Sequence, residues 1–179
     1  QIVDIAVAAQ RRSGCTLTGS MDDAWAAISP GWKLVDPEQT SHDSVLLEGD
    51  IETGLSVLVA LRGARNSRVE PEAFEKQSKL FERALASLSS GSLFAAMSAN
   101  GMAVAAAIGD DEALRICNSA IARGAISAGV TGSGPAIAII CYEQHADLLA
   151  EFARESRMEV LEAAFTQSQM QREEASRWE

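Results

Sequence analysis

Two stretches of this 179-residue chain hold residue types that do chemistry at spacings that suit it. The first is TLTGSMDDAWAAIS, residues 16 to 29, where Asp22 and Asp23 follow a small turn and open a helix-forming run. A carboxylate placed beside a hydroxyl accepts its proton during group transfer. The same pair also suits a helix start, where negative charge meets the positive end of the helix dipole. A cap needs only one of the two. Thr16 and Thr18 precede the pair; they can bond substrate hydroxyls, or cap and brace the loop. The second stretch is GVTGSGPA, with Gly129, Gly132 and Gly134 interleaved with Thr131 and Ser133. Glycine lets a backbone turn sharply and approach a ligand closely, and successive amides in such a turn cradle an anion. No Gly-Lys-Ser/Thr follows, so it is not a Walker loop. A strand-like run follows rather than a helix, which excludes the dinucleotide fingerprint. A tight β-turn is the alternative, although the segment exceeds the roughly two to five residues a hairpin needs.

The elements that must position these groups are legible in outline. QIVDIAVAAQRR reads as a helix with Ile2, Ile5, Ala8 and Ala9 on its apolar face, ending near Gly14. It is already under way at Gln1, so the chain reads as a piece of a longer protein. A short helix from Asp22 to Ile28 is stopped by SPGW, and WKLVD and SVLLEGD read as short strands. LSVLVALRG, residues 55 to 63, is a buried-strand pattern between glycines. Pro71 opens a helical block with Phe74, Phe81, Leu85 and Leu88 along one face. Two more helices follow, over about 92–108 and from the cap Asp110 to Arg123, the latter turning Leu114, Cys117 and Ile121 inward. Gly101 lies inside the first of these and costs about 1 kcal/mol against alanine unless close packing requires it. Ala125–Ser127 forms a short strand, 129–135 the glycine turn, and 136–141 a central strand; a helix at 143–155 and a strand at MEVLEAAF close the fold. The tail from residue 166 is polar.

The bulk properties narrow the function. A net charge of -10, from 15 basic and 25 acidic residues, opposes nucleic-acid binding. The densest basic stretch, RGARNSR with Arg62, Arg65 and Arg68, is either a solvated loop or an anion site. Cys15, Cys117 and Cys141 are scattered without metal spacing, which suits reduced thiols in a cytoplasmic protein. No apolar run approaches the ~18 residues of a membrane span. His42 and His145 are isolated and read as surface residues. Of Lys33, Lys76 and Lys79, none is evidently a phosphate clamp.

Taken together, TLTGSMDDAWAA and, about 110 residues later, GAISAGVTGSGPAIAII resemble the GHMP small-molecule kinases, more closely their archaeal-type shikimate kinase branch. SANGMAVAAAIGDD resembles a further segment of that branch. The resemblance implies an α+β fold: residues 1–53 as the truncated end of an S5-like domain, and 54–165 as a ferredoxin-like C-terminal domain with an antiparallel sheet and helices on one face. It implies ATP and Mg2+ as cofactors and phosphoryl transfer to the 3-hydroxyl of shikimate, in chorismate and aromatic amino acid biosynthesis. Asp22 takes the position of the catalytic carboxylate. Asp23, Thr16, Thr18 and Arg65 fall to the substrate, with Arg65 gripping its carboxylate. Gly129, Thr131, Gly132, Ser133 and Gly134 lie near the transferring phosphate. The family's principal nucleotide loop has no counterpart here: ASLSSGS, residues 86 to 92, reads as a helix end. The resemblance thus implies a further N-terminal kinase segment as partner, and inactivity of the fragment alone. A GHMP kinase for another alcohol, of homoserine or mevalonate type, and a non-catalytic truncated domain are the alternatives.

Overall fold

A computed structural model describes residues 2–14, 21–64 and 70–166. The chain divides into two compact units, one holding the residues up to Thr53 together with those from Phe165, the other spanning Gly54–Ala164.

In the first unit, helix α1 (Ile2–Ser13) ends where Gly14 takes a φ of 69°. Helix α2 (Asp22–Ile28) follows, then an antiparallel pair, β1 (Trp32–Val35) and β2 (Val45–Gly49), joined through a 3-10 turn at Ser41–Ser44. The apolar face of α1 is not the expected one. Val3 and Val7 are buried with Met21 and Ala24, while Ile2 and Ile5 are about 70% exposed. Asp4 accounts for the rotation: its carboxylate accepts from Ser41 N at 2.8 Å and from Ser41 Oγ at 2.5 Å, which turns the Val3–Val7 stripe inward. The Ser41 hydroxyl above all holds the Asp4 carboxyl below its ordinary range. Ser44, fully buried, donates to Ser41 O and accepts from the Trp25 indole, so α2 is tied to the same turn.

The second unit is a four-stranded antiparallel sheet with helices, in the order β4-β5-β3-β6. Its elements are β3 (Leu55–Leu61), α3 (Pro71–Glu75), α4 (Ser78–Ser89), α5 (Leu93–Ala107), α6 (Asp111–Ala122), β4 (Ser127–Val130), β5 (Ile137–Tyr142), α7 (Ala146–Glu155) and β6 (Glu159–Ala163). The register pairs Leu58 with Ile139 and Ile139 with Ala128, so the three share a face. That face is the core: Leu58, Ile137, Ile139 and Cys141 pack with Cys117 and Ala120 of α6 and with Leu149 and Ala153 of α7. Each large aliphatic buried there contributes roughly 1.5–3 kcal/mol. Arg123, the C-cap of α6, lies over the Phe152 ring of α7, 4.4 Å from its centroid.

Helix α5 is apolar all round because it is pressed between α4 and β4. The contact with β4 is a crossing of two glycines. A Cβ on Gly101 would lie 2.5 Å from Gly129 Cα and 2.8 Å from Val130 N. Close packing therefore requires Gly101. Beside the crossing, Ser98 Oγ lies 3.0 Å from Ser127 Oγ and accepts from Ala128 N at 3.2 Å, so a buried hydroxyl satisfies an amide on the free edge of β4.

Several boundaries differ from the expected ones. The block after Pro71 breaks at Lys76–Gln77 into α3 and α4, with no proline or glycine to signal it. Leu85 and Ile121 face outward, at 50% and 39% exposure. The short strand is 127–130 rather than 125–127, which takes Gly129 out of the turn and into the sheet. His145 is half-buried against Gly124 rather than on the surface. ASLSSGS does end a helix: α4 stops at Ser89 and Gly91 turns the chain with a φ of 80°.

Candidate active site

The candidate residues lie in two local structures, one in each unit. In the first unit, Asp22 and Asp23 occupy the opening turn of α2, both exposed. Neither caps the helix. The N-cap is Met21, buried against Val3 and Val7, and its side chain makes no capping bond. The side-chain demands of the core thus set the helix start, and the carboxylates are not needed to cap it. Partial desolvation lifts the Asp23 carboxyl above its ordinary range, and the adjacent Asp22 charge adds to the shift. Thr16, Thr18 and Arg65 lie outside the described residues, as does Cys15. Lys33 is engaged locally: its ammonium donates to Pro30 O at 3.0 Å and lies 3.7 Å from Glu48. Lys76 and Lys79 are both exposed.

In the second unit, the glycine segment runs from β4 into β5. Gly129 is a strand residue held against α5. Thr131, Gly132, Ser133 and Gly134 form the turn, closed by Thr131 N to Ala136 O and Gly134 N to Thr131 O, both at 2.9 Å. The turn requires glycine at two points, since Gly132 and Gly134 have φ of 52° and 77°. Their surroundings differ. A Cβ on Gly134 would press Ile108 and Val130 at 3.2 Å, whereas around Gly132 nothing lies within 4 Å. The turn therefore has a packed leg, which includes the cis Gly134–Pro135 bond, and an open tip with Thr131 and Gly132 exposed. An open tip without a Cβ suits close approach of a phosphate to backbone.

Behind the packed leg lies a polar cluster that sequence reasoning did not assemble. Arg62, at the end of β3, grips Asp110 with both terminal nitrogens, at 2.5 and 3.0 Å. It also bonds Glu112 at 2.6 Å and reaches Pro135 O at 3.4 Å. Its side chain is only 10% exposed, so it is no solvated loop arginine. Asp110 in turn accepts from Ala113 N and caps α6 as expected. The cap was readable from the sequence; its pairing with a residue 48 positions earlier was not.

Arg62 first, and the Ala113 amide after it, hold the Asp110 carboxyl below its ordinary range. A carboxyl depressed by folding stabilises the native state above its unfolded pKa, and that contribution is lost as pH falls through the native one. The urea midpoint of the chain should therefore drop as the pH is lowered from about 5 to about 3, around and below the unfolded carboxylate value. Asp110→Asn should flatten that drop, leaving the share that belongs to Asp4. An unchanged slope in the variant would show that Asp110 is not ionically held.

Residues 79–158, from α4 to the start of β6, match the family model described as GHMP kinases C terminal. That part of the second unit is similar to a GHMP kinase C-terminal domain. Two curated relatives extend the likeness beyond that domain. A shikimate kinase of Methanobrevibacter smithii is 28% identical over 151 residues, covering 84% of this chain and 51% of its own length. A shikimate kinase of Aeropyrum pernix is 27% identical over 157 residues, covering 87% and 54%. The chain thus spans about half the length of the curated relatives it matches. Among solved structures, a phosphotransferase related to the CoA biosynthesis pathway superposes with a TM-score of 0.53 at 13% identity, over 68% of this chain and 41% of that one. That likeness shows a shared fold. Among the described residues, no helix is long and apolar enough to cross a membrane.

Proposed function

We propose that this chain is part of a cytoplasmic GHMP-type shikimate kinase, which transfers the γ-phosphoryl group of ATP to the 3-hydroxyl of shikimate. The observation that carries the reading is the likeness to two shikimate kinases over more than four-fifths of the chain. In the proposed reaction the hydroxyl oxygen forms the new P–O bond, its proton passes to the Asp22 carboxylate, and the bond from the γ-phosphorus to ADP breaks. Phosphoryl transfer depends mainly on positioning and charge neutralisation, so one base and a fixed phosphate cradle suit it. The exposed Thr131–Gly132 tip supplies a backbone surface for the phosphate side. Asp23 orients the substrate beside Asp22, with Thr16, Thr18 and Arg65 as further substrate contacts. Among the described residues no three carboxylate, histidine or cysteine side chains gather as a metal cage. Mg2+ would enter with the nucleotide, since it commonly takes one or two carboxylates and the nucleotide's own phosphates.

The test is a coupled assay of ADP release with the complete reading frame, ATP and Mg2+, offered shikimate, homoserine and mevalonate in turn. The reading expects turnover with shikimate well above the other two. Turnover confined to homoserine or mevalonate would transfer the assignment to another alcohol, and turnover with none would leave a non-catalytic domain.

A further inference from the structure

The glycine turn has an open tip and a packed leg, and the two depend on different residues. Within the turn, backbone bonds from Thr131 N to Ala136 O and from Gly134 N to Thr131 O hold its shape. From outside, Gly134 is seated on Ile108 and Val130, and Pro135 O faces the Arg62 guanidinium. At 3.4 Å the bond to Pro135 is weak on its own, near the limit of a hydrogen bond. Its value lies in the donor's immobility. Asp110 takes both terminal nitrogens of Arg62 in a fork, and Glu112 takes one of them again. Charge-assisted forked bonds of this kind fix orientation as well as position. Asp110 is itself anchored as the cap of α6, and it follows the α5 C-terminus that carries Ile108. The end of β3, the α5–α6 corner and the glycine turn therefore meet at one guanidinium.

We propose that Arg62 is a positioning residue for the glycine loop: pinned by Asp110 and Glu112, it holds the Gly134–Pro135 leg so that the Thr131–Gly132 tip keeps one conformation. The role in phosphate binding rests on the kinase reading; the loop geometry does not. Lysine cannot replace arginine here, because an ammonium lacks the planar fork that engages Asp110 and Pro135 at once.

Amide hydrogen exchange of the 179-residue chain tests this, with the hydrogen-bonded amides of Thr131 and Gly134 as reporters and the urea midpoint as the control for overall stability. Arg62→Gln should speed exchange at both amides by about tenfold or more through local opening, while β5 amides such as Ile139 keep their protection. Arg62→Lys keeps the charge beside Asp110, so it should recover the urea midpoint yet leave the loop amides fast. A purely structural arginine would restore both together. The proposal is overturned if Thr131 and Gly134 exchange at the wild-type rate in Arg62→Gln, or if Lys restores them along with the midpoint. A separate titration of the wild-type complete protein with ATP, followed at the same amides, decides the phosphate reading. No response there removes the nucleotide from the loop without altering what the exchange rates say about Arg62.

Discussion

Replacing Gly101 with alanine is expected to lower the stability of the chain by about 3 kcal/mol or more, at the upper end of overpacking effects. Helix propensity alone predicts the opposite, a gain of about 1 kcal/mol, because glycine is a poor interior residue. Geometry decides the sign. The added methyl would lie 2.5 Å from Gly129 Cα, 2.8 Å from Val130 N and 2.9 Å from Gly129 C. All three are backbone atoms of β4, so no side chain can swing away. α5 would have to retreat, and the Ser98 bonds to Ser127 and Ala128 would lengthen with it, exposing a buried amide to loss of its partner. Gly129→Ala should be milder, since its methyl would meet Gly101 Cα at 2.9 Å and Met97 O at 3.4 Å. Urea unfolding of the two variants and the parent measures both. A Gly101→Ala protein as stable as the parent would show that the helix can back away at no cost.

The second large effect concerns Asp22. With the complete reading frame assayed on ATP and shikimate, Asp22→Ala should reduce turnover by at least ~100-fold, the low end for a general base. That corresponds to about 2.7 kcal/mol of transition-state stabilisation. The fold should scarcely notice. A first-turn carboxylate stabilises its helix by roughly 0.3–1 kcal/mol, and Met21 rather than Asp22 is the N-cap of α2. Asp23→Asn should act mainly on the KM for the alcohol, in keeping with an orienting role. Full turnover in Asp22→Ala at an unchanged urea midpoint would remove this carboxylate from the mechanism and pass the question to Asp23.

What the sequence disclosed follows from which forces are local. The buried strand at 55–61, the three later helices and the Asp110 cap rest on periodicity, punctuation and capping chemistry, all of which act within a few residues. The orientation of α1 was not legible in that way. The helix has apolar residues on two faces, and Asp4 selects between them by bonding Ser41, 37 positions away. Gly129 is a second instance: among the turn glycines it looks like a loop residue, and its pairing with Ala138 of β5 makes it part of a strand. The site shows the same division. Asp22, Asp23 and the glycine turn stand out by residue type and spacing. Arg62 carries no such mark, because its partners come from α6 and from beyond β4, and a sequence shows no pairing over 48 and 73 positions.

The hydroxyl that Ser98 offers to Ala128 bears on how copies of this protein meet one another. A bordering strand with unsatisfied amides invites recruitment of another chain's backbone. On the β4 margin that invitation is withdrawn, since α5 lies over it and a serine already occupies the amide. The opposite margin, β6, has no such cover from α5 and instead displays Glu159 and Glu162, both exposed. In a chain whose net charge is -10, a second copy approaching there meets like charge. One border of the sheet is thus covered by packing, while the other presents two glutamates, one of them paired with Arg154 at 3.4 Å.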